Sequence, residues 1–457
     1  MIGHGKNALS GLVAALAVVL LLSAIPASAA IVGLEGTSFN LTAKAGYITT
    51  PDGGSYLSWG YANGDGPAQY PGPTLIVNEG DTVTVTLTNE LATNVSMIFP
   101  GMASVTAKGG KKGLFTREAE PAKNAVTYTF VAEKPGTYMY QSGTRPELQI
   151  EMGLFGAIIV RSATQGQAYD SEDTAYDDEF LFLLSEVDPV IHEQMELGME
   201  NMVDNTKWEP VIWMINGRSA PDTMAPNYAP WLPHQPYNCM PNIEAGQTLL
   251  IRLANAGRDL HPFHTHGNHS TIVGRYGNLL ESVPGAGADL AVEEFTVQMV
   301  PGSTVDSLFT WTGEGIGWDV YGHQSDINVE PLDDFPGPGD VDHNGDGIVD
   351  WVDMMPHESA ADHGKPFPVV LPDPTDLAFG GFYSGSPYLG LLGNLPPGEG
   401  GLNPKGGFAY MWHSHTEKEM VNFDIFPGGM MTMFIVTAPG SGGAMPMRAD
   451  GSSVEGR

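Results

Sequence analysis

Between Glu79 and Asn89 the chain alternates, with Val83, Val85 and Leu87 set between Thr82, Thr84, Thr86 and Thr88. Successive side chains on an extended strand point to opposite faces, so this spacing predicts a half-buried β-strand with its apolar residues inward. The stretch Ala245 to Asn255 repeats the pattern 166 positions later, with Gly246, Thr248 and Asn255 answering Gly80, Thr82 and Asn89. A second echo relates Gly136 to Gly143 with Ala409 to His415. Each copy runs on through small-residue turns to an apolar strand, one ending at Ala157 to Val160 and the other at Met433 to Val436. Duplicated short strands with turn residues between them predict an all-β chain of two related β-sandwich domains, over residues 31–165 and 208–440. Residues 166–207 read as an acidic linker with a methionine-dotted helical patch from Ile191 to Val203, and 441–457 as a disordered Gly/Ser-rich tail.

Composition sharpens this picture. At 457 residues and 42% hydrophobic content the chain exceeds one ordinary core, and Gly 58 with Pro 35 favours turns over long helices. Lys6, the apolar run Gly11 to Leu22 and the Ala27-Ser-Ala29 ending form the three parts of a secretory signal over residues 1–29. That run is too short for a strong membrane span, and no later segment approaches spanning length. The expected product is exported, to the periplasm, the outer surface or the medium. The single cysteine, Cys239, forbids an intrachain disulfide, so packing or bound ions must supply the stability. A formal net charge of −33 argues against nucleic acid or an anionic membrane as partner and favours cations.

The histidines change the picture most. Five of the thirteen fall in two short clusters, His261, His264 and His266 in one and His413 and His415 in the other. Residues two apart on a strand share a face, so His264 with His266 and His413 with His415 each present two imidazoles in one direction. Four nitrogens converge if the two strands are neighbours. Imidazole ligands suit copper, zinc, iron and nickel alike.

The order of motifs resembles the multicopper oxidase family, built from cupredoxin domains. Those motifs are Pro71 to Val77, the strand from Glu79, Gly136 to Tyr138, Ile215 to Arg218, His261-Pro-Phe-His-Thr-His-Gly267 and His413-Ser-His415. The resemblance implies two cupredoxin-like Greek-key sandwiches holding copper. It implies a type 1 copper ligand at His261 and trinuclear-cluster ligands at His264, His266, His413 and His415. The chain departs from the family pattern in several places. The type 1 thiolate falls at Ser414, the following type 1 histidine is missing from Thr416 to Met420, and Cys239 lies elsewhere, as a structural cysteine. In the first domain, Ile98, Pro100, Gln141 and Gly143 stand where the resemblance expects histidines. A serine lacks the soft sulfur of a blue copper centre.

An insertion over 326–406 interrupts the second domain and contains Asp342 to Asp353. Its Asp342, Asn344, Asp346, Asp350 and Asp353, with glycine at the sixth position and the Ile348 carbonyl, match an EF-hand calcium loop of the dockerin-like kind. The expectation is therefore an exported copper-binding protein, copper and calcium its cofactors, leaning to an oxidoreductase without a standard type 1 site. A redox partner or a second copy of the chain would complete the copper site. The alternative is a calcium-stabilised, non-catalytic metal-binding or cell-surface scaffold.

Overall fold

The computed structural model describes residues 31–244, 246–311 and 407–437, with short strands at 388–390, 393–394 and 402–403. The signal segment 1–29, the calcium loop 342–353 and the tail 441–457 lie outside the described residues.

The first sandwich packs two sheets. One has the order Leu34–Glu35, Leu75–Asn78, Phe155–Arg161, Gly136–Gln141. The other has the order Ser55–Asn63, Ser38–Thr49, Thr82–Asn89, Ala125–Val131, Ala103–Gly109. The alternation read from the sequence sets the geometry of the strand Thr82–Asn89: Val83, Val85 and Leu87 are buried while the intervening threonines are half-buried or exposed. They meet Tyr128, Phe130, Leu75 and Ile158 in one core.

The second sandwich repeats the plan. Strand Thr248–Asn255 lies between Asp178–Val187, to which it is parallel, and Thr304–Thr310, to which it is antiparallel. Its counterpart Thr82–Asn89 likewise lies between Ser38–Thr49, parallel, and Ala125–Val131, antiparallel. The 166-residue repeat is thus a repeat of position in the sheet. It also shows what the linker reading missed: within 166–207, Asp178–Val187 is an inner strand of the second sandwich. The helix that follows, Pro189–Glu196, starts with proline and is capped by Asp188, which accepts from the Val190 amide.

The two sandwiches share an apolar layer. Ile76, Met139, Phe155 and Ile159 of the first pack against Leu181, Leu183, Ile212, Met214 and Ala254 of the second. Coverage on both faces explains why Thr248–Asn255 is buried nearly throughout, whereas Thr82–Asn89 alternates. A buried ion cluster crosses the same junction. Arg252 pairs with Glu179 at 2.8 Å and Asp306 at 3.3 Å. Asp306 also accepts from the Thr137 amide at 3.1 Å and the Tyr169 hydroxyl at 2.6 Å. Among the described residues, no helix is long and apolar enough to cross a membrane.

Candidate metal centre

The outer sheet of the second sandwich carries the histidines. Strand His261–Thr265 lies between Gly407–Ser414 and Thr296–Met299, antiparallel to both. In this register His264 faces His413 on one side and Thr296 on the other. The two histidine motifs, 147 residues apart at His266 and His413, therefore meet. Their ligand atoms converge: one nitrogen from each of His264, His266 and His413 lies within 4.8 Å of the others. His415 stands at the rim, half exposed, its ring centroid 4.8 Å from that of His264.

The electrostatics keep these rings neutral, with lone pairs to offer. Burial pushes His264 down to about 4, helped by the neighbouring His266 and His415. Burial likewise pushes His413 down to about 4, partly opposed by the Ser414 carbonyl, and lowers His266. His413 Nδ1 donates to the Ser414 carbonyl at 2.8 Å, which leaves Nε2 as its basic nitrogen. That Nε2 lies 3.2 Å from His266 Nε2. Two nitrogens bound to one tetrahedral metal at about 2.0 Å stand about 3.3 Å apart, so the pair is already at ligand spacing.

His261, expected as a copper ligand, sits differently. It is three residues from His264 and so turns to the opposite, core face of the strand, where it is fully buried. Its Nε2 bonds Glu186 and its Nδ1 bonds Glu419, each at 2.9 Å. Both nitrogens are taken by carboxylates on opposite edges of the ring, an arrangement that holds an imidazolium and offers a metal no lone pair. Burial alone would lower this group, but the two carboxylates outweigh it and raise His261 to about 9. Ser414 donates its hydroxyl to the same Glu419 oxygen. Thus Glu419, from the Thr416 to Met420 stretch where the family resemblance expects a histidine, completes a buried Glu186, His261, Glu419 and Ser414 chain. Cys239 is buried in the second core, donating to the Ile215 carbonyl at 2.9 Å, and burial pushes its thiol up to about 12.

In the first sandwich, Ile98 and Gln141 pair through two backbone hydrogen bonds of 2.8 and 3.1 Å. This pairing answers that of His264 with His413, so the positions correspond while the ligands do not. A side chain at Gly143 would meet Ile98 at 2.7 Å, which leaves no room for an imidazole there. Sequence reading named the histidines but missed Glu186, which reaches His261 from the facing sheet, and Thr296, which reaches His264 through strand pairing, 75 and 32 residues from their partners.

The structure is thus a pair of cupredoxin-type sandwiches with a histidine cluster on one outer sheet. The multicopper oxidase family model matches residues 50–165. Copper resistance protein A of Escherichia coli is 35% identical over 153 residues, 34% of this chain and 23% of that protein. L-ascorbate oxidase of Cucumis sativus is 30% identical over 219 residues, 45% of this chain and 36% of that protein. Laccase 1 of Metarhizium acridum (strain CQMa 102) is 39% identical over 103 residues, 22% and 16% respectively. The matches thus span little more than a third of these relatives' length at most. The blue copper oxidase structure from Nitrosomonas europaea aligns with a TM-score of 0.53 at 18% identity, covering 88% of this chain and 86% of that one, a likeness of fold. Residues 50–165 thus carry a multicopper oxidase domain, and the chain as a whole shares the two-sandwich fold.

Proposed function

We propose that this protein is an exported copper-dependent oxidoreductase whose metal is held by His264, His266 and His413, with His415 at the open side. The observation that carries the reading is the convergence of three neutral imidazoles, two of them at ligand spacing. Copper so bound would supply one-electron chemistry between its two common oxidation states. The chain contributes a rigid sheet, fixed ring orientations and an open coordination position. No type 1 copper accompanies it, because Ser414 supplies no thiolate and His261 is committed to Glu186 and Glu419. With Ile98 and Gln141 in place of ligands, the centre is mononuclear rather than a cluster. A redox partner or a second copy of the chain would approach at the exposed His415 side.

Purified protein should carry a single copper and show no intense blue absorption. His264→Ala and His413→Ala should each lose copper, while His269→Ala, whose ring is half exposed and pairs with Glu293, should keep it. Unaided oxidation of phenols should fall below ~1 s⁻¹, the low end of enzymic rates. A strong blue colour, or full copper in both ligand variants, would overturn the assignment.

Calcium at 342–353 is part of the same proposal and rests on the loop's ligand spacing alone. A metal bound only by the folded state stabilises it by mass action. Chelation should therefore lower the melting temperature and open 326–406 to protease, and identical digestion with and without chelator in millimolar calcium removes the ion from the account.

A further inference from the structure

We infer that Thr296 is a positioning residue for the metal centre: it sets the tautomer of His264, so that the Nε2 lone pair of that ring faces His266 and His413. The inference rests on the copper reading above and adds to it a residue that no histidine motif contains. Strand Thr296–Met299 pairs with His261–Thr265 so that Thr296 stands directly across from His264. Its Oγ1 lies 2.7 Å from His264 Nδ1. A β-branched side chain on a strand has few rotamers, so the hydroxyl is held in place rather than sampled. Thr296 is only partly buried, and the strand continues beyond it through Val297 to Met299 in the core, which anchors the hydroxyl from behind.

The chemistry follows from the other two rings. His413 must carry its proton on Nδ1, because the Ser414 carbonyl can only accept. In the inferred arrangement the Thr296 hydroxyl accepts the Nδ1 proton of His264, which leaves Nε2 as the basic nitrogen, and two of the three rings are then preset by partners outside the metal's own shell. Where the partner of a metal-bound histidine is removed, metal affinity falls by about 10–100-fold. Sequence distance hides this relation, since Thr296 follows the histidine motif by a whole hairpin.

Thr296→Val removes the hydroxyl at nearly constant shape and suits a strand. Nitrogen-detected NMR of histidine-labelled, metal-free protein should show the His264 proton on Nδ1 in the wild type and in Thr296→Ser, and a mixture of tautomers in Thr296→Val. Copper titration should show affinity weaker by about 10–100-fold in Thr296→Val and near wild type in Thr296→Ser. A His264 proton on Nε2 in the wild type overturns the inference, as does a Thr296→Val protein unchanged in both tautomer and affinity. A wild type that binds no copper would refute the copper reading instead, and the tautomer measurement would still decide the role of Thr296.

Discussion

Replacing His261 with leucine will destabilise the protein by about 3–5 kcal/mol and leave its copper content unchanged. The structure puts an imidazolium between two buried carboxylates, Glu186 and Glu419, with 2.9 Å contacts on each side. Glu186 further accepts from the Asp259 amide at 3.2 Å and from the amide of Arg258, so it cannot swing out to water. Removing the cation strands two acids in the core, and breaking a buried pair in this way costs about 3–5 kcal/mol. Were His261 a metal ligand instead, the same substitution would release metal. Denaturant unfolding and metal analysis of one preparation separate the two outcomes, and loss of copper from a folded His261→Leu protein would sink the account. The wild type adds a second check. A group raised from 6.5 to about 9 on folding contributes stability that is fully present below pH 6.5 and disappears as pH rises through 9. That contribution is about 3 kcal/mol. The unfolding midpoint should fall between those pH values in the wild type, and the step centred on the imidazolium should be missing from His261→Leu.

Periodicity carried most of the fold. The alternation from Thr82 to Asn89 and its copy from Thr248 to Asn255 located matching strands in two sandwiches, since a strand with one wet face must alternate. The same signal failed at Asp178 to Val187. There Phe180 to Leu184 form an unbroken apolar run, because the strand is covered on both faces, and the flanking acids gave it the look of a linker. Two of those acids are buried and paired: Glu179 serves Arg252 and Glu186 serves His261. Local spacing also announced the histidine centre, because two H-x-H pairs must each present two rings on one face. Local spacing did not announce its supports. Glu186 and Thr296 act across strands, and Glu419 shows only as an acid where the family resemblance expects a histidine. The partners of His261 were hidden for the same cause: a motif names a position, while the carboxylates that meet this ring lie 75 and 158 residues away.

Asp306→Ala should lower the unfolding free energy by about 3–5 kcal/mol and loosen the junction of the two sandwiches. Asp306 is almost fully buried and serves four groups at once, the amide and hydroxyl of Thr137, the Tyr169 hydroxyl and Arg252. Thr137 belongs to the first sandwich, while Arg252 and Asp306 belong to the second, so this carboxylate ties the buried charge of one sandwich to the backbone of the other. Burial alone would lower Arg252, yet Glu179 and Asp306 raise it and keep the guanidinium charged. Alanine at 306 leaves that cation with Glu179 alone and deprives the Thr137 amide of its acceptor. A drop in melting temperature on the order of 10 °C should follow. Glu90→Gln, at the surface pair with Lys123, is the control and should leave the melting temperature unchanged. Because the histidine sheet lies on the far side of the second sandwich from this junction, copper content should survive Asp306→Ala. If Asp306→Ala melted with the wild type, Asp306 would contribute no net stability, and the apolar layer of Ile76, Met139, Phe155, Leu183 and Met214, with the Arg161–Glu179 pair, would hold the sandwiches together.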